Sequence, residues 1–120
     1  MSGFRIKRAY EAASEKDGQR ILVDRLWPRG LSREQAKLDG WAKDVAPSTE
    51  LRKWFHADPE GRRAEFDERY ADELSGSTQR QAISDLQASA AKETVTLLTA
   101  VKDAEHSYLT VLLEQLKSKP

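Results

Sequence analysis

The sequence predicts an α/β fold: one small three-layer domain over residues 1–120, with a mostly parallel central sheet flanked by helices. Three observations carry this expectation. Two short apolar runs rich in β-branched residues read as strands: Ile21 to Val23, buried on both faces, and Val95 to Val101. Segments of helical period lie between and after them, so strands and helices alternate. The chain also shows no repeat, no low-complexity tract and no linker long enough to part a second domain.

The elements follow in order. Phe4 and Ile6, with Tyr10 as a further candidate, alternate with Arg5, Lys7 and Arg8, the period of an edge or half-buried strand. Glu11 to Gln19 is polar and ends in the turn signal Asp17-Gly18. So short a segment is tight for a helical crossover, which leaves two ways to join the first strands: a hairpin or a stunted turn of helix. After the Ile21 strand, Ser32 with Gln35 three residues on has the form of a capping box, placing a short helix near Arg33 that Gly40 should close. Trp41 to Ala46 reads as a short strand or an extended linker. Pro47-Ser48 opens a helix with Leu51, Trp54 and Phe55 on one side.

Asp58-Pro59 has the form of an N-cap with proline at the first helical position, and Phe66, Tyr70 and Leu74 recur every fourth residue behind it. Ser75-Gly76 ends that helix. Ser77 or Thr78 caps the next, whose apolar face is Ala82, Ile83, Leu86 and Ala90. The Val95 strand follows, Asp103 is placed to cap a last helix, and Leu109, Leu112, Leu113 and Leu116 form its core-facing stripe.

Composition excludes several chemistries. There is no cysteine, so disulfides, thiolate metal sites and cysteine nucleophiles are absent. The two histidines, His56 and His106, lie far apart without HxH or HExxH spacing, so no metal is expected. No GxGxxG, Walker A or GxSxG pattern occurs, and no cofactor is expected. No apolar run approaches the length of a membrane span and the first residues do not read as a leader; a cytoplasmic protein without a membrane partner is expected. The sequence does not set an oligomeric state.

Net charge is zero, with 20 basic and 20 acidic residues, which disfavours nucleic-acid binding by sheer basicity. The distribution is uneven: residues 1–37 carry nine basic against five acidic side chains. That basic third contains the stretch ILVDRLWPRG, Ile21 to Gly30, in which a buried strand ends in Asp24, Arg25, Trp27 and Arg29 around Pro28. Open α/β sheets place ligands at such strand ends.

Lys7 to Tyr10, RILVDRLWPRG (Arg20 to Gly30), APSTELRKWF (Ala46 to Phe55) and Val95 to His106 together resemble the bacterial YeaO-like family, a domain-of-unknown-function family, across nearly the whole chain. The resemblance implies an α/β fold with the two long apolar strands central, and no particular activity. Longer relatives carry the pattern LLCxExxxxxCHR after the last strand. Here Thr99, Val101, Ser107 and Tyr108 stand in place of its Cys, Glu, Cys and His, so the groups for any thiol or metal chemistry of that branch are missing.

Each candidate residue has a functional and a plain structural reading. Arg25 and Arg29 offer guanidinium forks to a phosphate or carboxylate; alternatively Arg25 pairs with Asp24 or Asp39 to hold a turn. Asp24 is a candidate general base or a turn cap. Trp27 is the tryptophan best placed to pack on a ligand, with Trp41 and Trp54 as the others; core packing is the alternative for all three. His106, near the end of the last strand, is the better placed of the two histidines for proton transfer. Backbone N–H groups at the helix starts after Ser48 and Asp103 are anion donors or ordinary caps, and Lys102 adds charge.

Two functional classes follow. The first is a small cytosolic protein binding a phosphate- or carboxylate-bearing small molecule at the strand carboxyl ends, with catalysis through Asp24 or His106 as its enzyme variant. The second is a regulatory or interaction module that engages a protein or nucleic acid through Lys7, Arg8, Arg20, Arg29 and Arg33.

Overall fold

The computed structural model describes residues 3–101 and 108–117. Its sheet has four parallel strands: β1 (Gly3–Arg8), β2 (Gln19–Leu22), β3 (Gly40–Trp41) and β4 (Thr94–Thr99), in the order β1-β4-β2-β3. The two apolar runs are therefore central, as the sequence implies. The first strand ends at Arg8, and Tyr10 lies in the turn beyond it. β1 and β2 do not pair as a hairpin; β4 inserts between them and pairs with both, its Leu97 opposite Ile6 on one side and Ile21 on the other.

The β1–β2 connection is the stunted helical turn, Glu15–Asp17, whose Ser14 and Asp17 form a reciprocal capping box. Gly18 follows at φ +62°, and a Cβ there would stand 2.0 Å from the Thr94 carbonyl oxygen, so glycine is required where the crossover touches β4.

Five α-helices are described: α1 (Arg33–Ala36), α2 (Thr49–His56), α3 (Pro59–Leu74), α4 (Ser77–Lys92) and α5 (Leu109–Lys117). Ser32 and Gln35 make the expected capping box on α1, but the helix stops at Ala36, with Lys37 in the left-handed region at φ 46°. Gly40 opens β3 instead of closing α1, and the stretch to Ala46 resolves into that two-residue strand and a 3₁₀ turn at Lys43–Val45. α4 is capped by Gly76 without a side-chain bond; Ser77 is already inside the helix. Asp103, expected to cap the last helix, falls outside the described residues.

Strand alternation divides the core in two. Ile21, Val23, Val95 and Leu97 face α2 to α5 and meet Phe66, Tyr70, Leu74, Ile83, Leu109 and Leu112. Leu22 and Leu98 face the other way, onto a thin cover of Trp27, Leu31, Leu38 and Trp41. The three layers are thus unequal: four helices on one face, and one turn of helix with two indoles on the other. The predicted stripe of α5 buries Leu109, Leu112 and Leu116, while Val111 is buried and Leu113 only partly so.

Candidate functional site

Where β2 and β4 end, the chain leaves the sheet at adjacent points, because the two strands are neighbours and parallel. Asp24 follows β2, and its carboxylate bridges that exit to the exit of β4. One oxygen accepts from Thr99 Oγ1 at 2.7 Å and from the Tyr108 hydroxyl; the other accepts from the Ala100 backbone N–H at 2.7 Å. The Asp24 carbonyl in turn accepts from Trp41 Nε1 at 2.6 Å. Thr99 and Tyr108 both present hydroxyls to this one carboxylate.

Arg25 takes neither of the partners its sequence suggests. Its Nε donates to the Pro47 carbonyl and a terminal nitrogen to the Ala46 carbonyl, both at 3.1 Å, so the fork clamps the buried Ala46-Pro47 segment that leads into α2. Neither Asp24 nor Asp39 pairs with it; Asp39 instead accepts from the Arg20 backbone N–H at 2.8 Å.

Between the strand ends and the helices lies a cavity of about 590 Å3. The segment after β2 contributes Asp24, Arg25, Leu26, Trp27, Pro28 and Arg29; α2 contributes Arg52, Phe55 and His56; α3 contributes Arg63 and Phe66. Ala46, Pro47, Ala100, Val101, Tyr10 and Tyr108 complete the lining. Tyr10 closes one edge by donating to the Arg29 carbonyl at 2.8 Å. Leu26, 68% exposed, stands at the rim with Tyr10 and Val101.

The structure thus gathers four of the expected residues, Asp24, Arg25, Trp27 and Arg29, in one cavity at the predicted end of the sheet. Trp27 is the tryptophan in the lining, and its indole also packs edge-on against Trp41 at 5.6 Å and donates to the Leu31 carbonyl. Trp54 lies elsewhere, its ring beneath the guanidinium groups of Arg62 and Arg69.

At Ser48 the donors meet an anion of the protein itself. Ser48 caps α2 through Leu51, and its backbone N–H and hydroxyl both go to the Glu73 carboxylate, so the protein's own anion already occupies that helix start. Lys102, Asp103 and His106 fall outside the described residues.

Sequence reasoning missed Arg52 and set His56 behind His106. The available signal was spacing: Arg52, Phe55 and His56 are three and four apart, hence on one face of α2. Neither the Arg29 nor the Arg52 guanidinium has a partner among the described residues, whereas Arg63 bonds Asp67 and Thr110.

Burial pushes the Tyr108 hydroxyl well above its usual pKa, and the adjoining Asp24 carboxylate adds to the effect. Tyr70, which donates to the Val45 carbonyl, is raised too, first by burial and then by Glu73 and Asp24. Both phenols therefore act as fixed donors near neutral pH. The Asp24 carboxylate, with three donors on it, is arranged as a structural acceptor.

Of the five residues of the basic face, Arg29 and Arg33 are exposed, while Arg20 and Lys7 are committed to a carboxylate of the protein itself. Arg20 is 3% exposed and its guanidinium bonds Asp17 at 2.6 Å; Lys7 reaches the same carboxylate at 3.0 Å. Arg8 turns a guanidinium nitrogen to the Ala100 carbonyl.

An all-parallel sheet with a partly cationic cavity at its strand carboxyl ends places the molecule among small α/β proteins with open parallel sheets. Within that class the chain belongs to the family described as the inactive DUF488-N3 subclade, which it matches over residues 3–119. It is 42% identical over 113 residues to the uncharacterized protein YeaO of Escherichia coli (strain K12), covering 93% of this chain and 95% of that one. It is 41% identical over 115 residues to the uncharacterized protein Rv3073c of Mycobacterium tuberculosis (strain ATCC 25618 / H37Rv), covering 96% and 94%. The YeaO-like resemblance is thereby confirmed. No solved structure matches the chain significantly.

Proposed function

We propose that this protein is a cytosolic binder of an anion-bearing small molecule, held in the cavity at the ends of β2 and β4. The observation that carries this reading is the pair of guanidinium groups, Arg29 and Arg52, that border an otherwise mainly apolar cavity without any partner among the described residues. Unpaired cations beside apolar walls favour an anionic ligand with an organic part, since a guanidinium fork meets a carboxylate or phosphate through two donors.

Binding rather than catalysis is favoured. The candidate base Asp24 is held by Thr99, Ala100 and Tyr108, and abstracting a proton would break that arrangement. The family's description as an inactive subclade agrees with this. No helix among the described residues is long and apolar enough to cross a membrane. The interaction reading lacks a comparable observation, because Arg20 and Lys7 are turned onto Asp17.

The test is a thermal-shift screen of phosphate, sulfate, nucleotides and small carboxylates on the natural protein and on Arg52→Gln. At a hundredfold excess over its dissociation constant a ligand adds about 2.7 kcal/mol of stability, a shift of several degrees for a domain of this size. Stabilisation of the natural protein that shrinks in the variant supports the reading. Equal shifts in both, or none in either, rule it out.

A further inference from the structure

We infer that the ligand is a hydrophobic organic monoanion, an aryl- or acyl-carboxylate, and not an inorganic anion, a zwitterionic amino acid or a nucleotide; this rests on the anion-binding reading of the same cavity. The inference comes from counting which hydrogen-bonding groups of the lining remain available. Asp24 is the one carboxylate among the described lining residues, and three donors already occupy it. Several carbonyls around it are also taken: those of Ala46 and Pro47 by Arg25, of Ala100 by Arg8, of Pro28 by the Leu31 N–H and of Arg29 by Tyr10. Among the described lining residues, the charged groups without a partner are the two guanidinium groups of Arg29 and Arg52, with the His56 imidazole beside them.

That inventory sorts ligands. An ammonium or an exocyclic amine entering the cavity loses its water and meets no free carboxylate among the described lining residues, and an unpaired buried donor costs about 1–3 kcal/mol. Amino acids and nucleobases, which carry such donors, are therefore disfavoured. A carboxylate needs only donors, which two guanidinium groups supply.

Size and wall chemistry decide the rest. A cavity of about 590 Å3 falls in the range that encloses drug-sized ligands, about 300–1,000 Å3, and a bare phosphate would leave most of it filled with water against Trp27, Phe55 and Phe66. The exposed Leu26 and Val101 extend the apolar wall to the rim, where a ring or chain attached to the carboxylate covers them.

The experiment is a calorimetric titration of the natural protein and of the double variant Arg29→Gln/Arg52→Gln with phenylacetate, decanoate, phenylacetamide, phenylalanine, AMP and inorganic phosphate. Phenylacetate or decanoate is expected to saturate one site, at least tenfold tighter than the neutral amide, the zwitterion, AMP and phosphate, and to bind at least tenfold more weakly to the variant. Circular dichroism and the melting point of the variant check that it keeps the fold. Phosphate, phenylalanine or AMP binding as tightly as the organic carboxylates, with sensitivity to the variant retained, overturns the ligand class and leaves the anion site standing. Phenylacetamide binding as well as phenylacetate, no loss in the variant, or no heat from any probe overturns both.

Discussion

The Tyr108 hydroxyl and the Asp24 carboxylate are hydrogen-bonded across the gap between the last helix and the end of β2, with Thr99 Oγ1 donating to the same carboxylate oxygen at 2.7 Å. This contact ties together three parts of the chain distant in sequence: the exit of β2, the exit of β4 and the residue preceding α5. Trp41 adds the edge strand by donating to the Asp24 carbonyl. The carboxylate is therefore the junction that fixes the rim of the cavity.

Replacing Asp24 with alanine should leave the Thr99 hydroxyl and the Ala100 N–H without their acceptor, and the Tyr108 hydroxyl with only its longer bond to the Val23 carbonyl at 3.2 Å. Hydrogen bonds to a charged group and the stranding of buried donors together set the expected loss at about 3 kcal/mol. Urea unfolding with an unchanged slope and a lower midpoint would register it. A loss below about 0.5 kcal/mol, the level of an ordinary surface change, would show that the junction is not structural.

Tyr108 and Tyr70 predict an alkaline limit to stability. Burial raises both phenols above the ordinary value of 10.0, so their protonated forms are favoured by folding. A raised folded pKa contributes stability in full below the unfolded value and loses it as pH climbs toward the folded one. Unfolding free energy should thus be flat with respect to these groups up to about pH 9 and fall above about pH 10. Phenolate absorbance from Tyr70 and Tyr108 should appear only with loss of the fold, and Tyr108→Phe should flatten part of the alkaline decline. Phenolate forming at both positions in the still-folded protein near pH 10 would contradict the burial argument.

The α/β class, the central placing of the two apolar strands and the location of the cavity were legible because each rests on local pattern: β-branched runs, four-residue helical recurrence at Phe66, Tyr70 and Leu74, and a polar cluster at a strand end. The strand order was not, since insertion of β4 between β1 and β2 depends on register along the sheet, which no local spacing encodes. Partner choice was also hidden. Glu73 reaches Ser48 from 25 positions away, and Arg25 bonds two carbonyls more than 20 positions along the chain, so the anion expected at Ser48 and the ligand expected at Arg25 are both replaced by the protein's own groups. Arg52 was legible in principle, through its helical spacing to Phe55 and His56, but only once α2 was known to border the cavity.

At the other end of β2, Asp17 should be the acid-sensitive point of the fold. It is 1% exposed and receives Lys7 and Arg20, the latter itself buried. Burial by itself pushes its carboxyl up, but the bonds from the Ser14 backbone, Lys7 and Arg20 outweigh that and hold it below the ordinary 3.8. A lowered folded pKa contributes stability above the unfolded value and loses it as pH falls through the folded one. The fold should therefore weaken as pH drops below about 4, and Asp17→Asn should remove part of that slope. Asp17→Ala, which strands the Arg20 guanidinium in the core, should cost about 3–5 kcal/mol at neutral pH. Denaturant midpoints of the natural and variant proteins at pH 3 to 7 decide it; parallel curves for the natural protein and Asp17→Asn would remove Asp17 from the acid response.

Arg25 and Arg52 should separate cleanly, although both border the same cavity. Arg25 Nε and a terminal nitrogen each hold a carbonyl, at Pro47 and Ala46, and those residues set the angle at which α2 leaves the sheet. Arg25→Ala should lower stability by about 1–3 kcal/mol, because two carbonyls in a buried segment lose their donors. Arg25→Lys should recover only part of this, since an ammonium lacks the planar fork that spans both oxygens. Arg52, with no partner among the described residues, should tolerate alanine within about 0.5 kcal/mol while losing affinity for an anionic ligand. Paired melting and binding curves for the two variants test the assignment. A large stability loss in Arg52→Ala with none in Arg25→Ala would exchange their roles: α2 would then be anchored through its own arginine, and the guanidinium nearest the strand end would be the one free to meet a ligand.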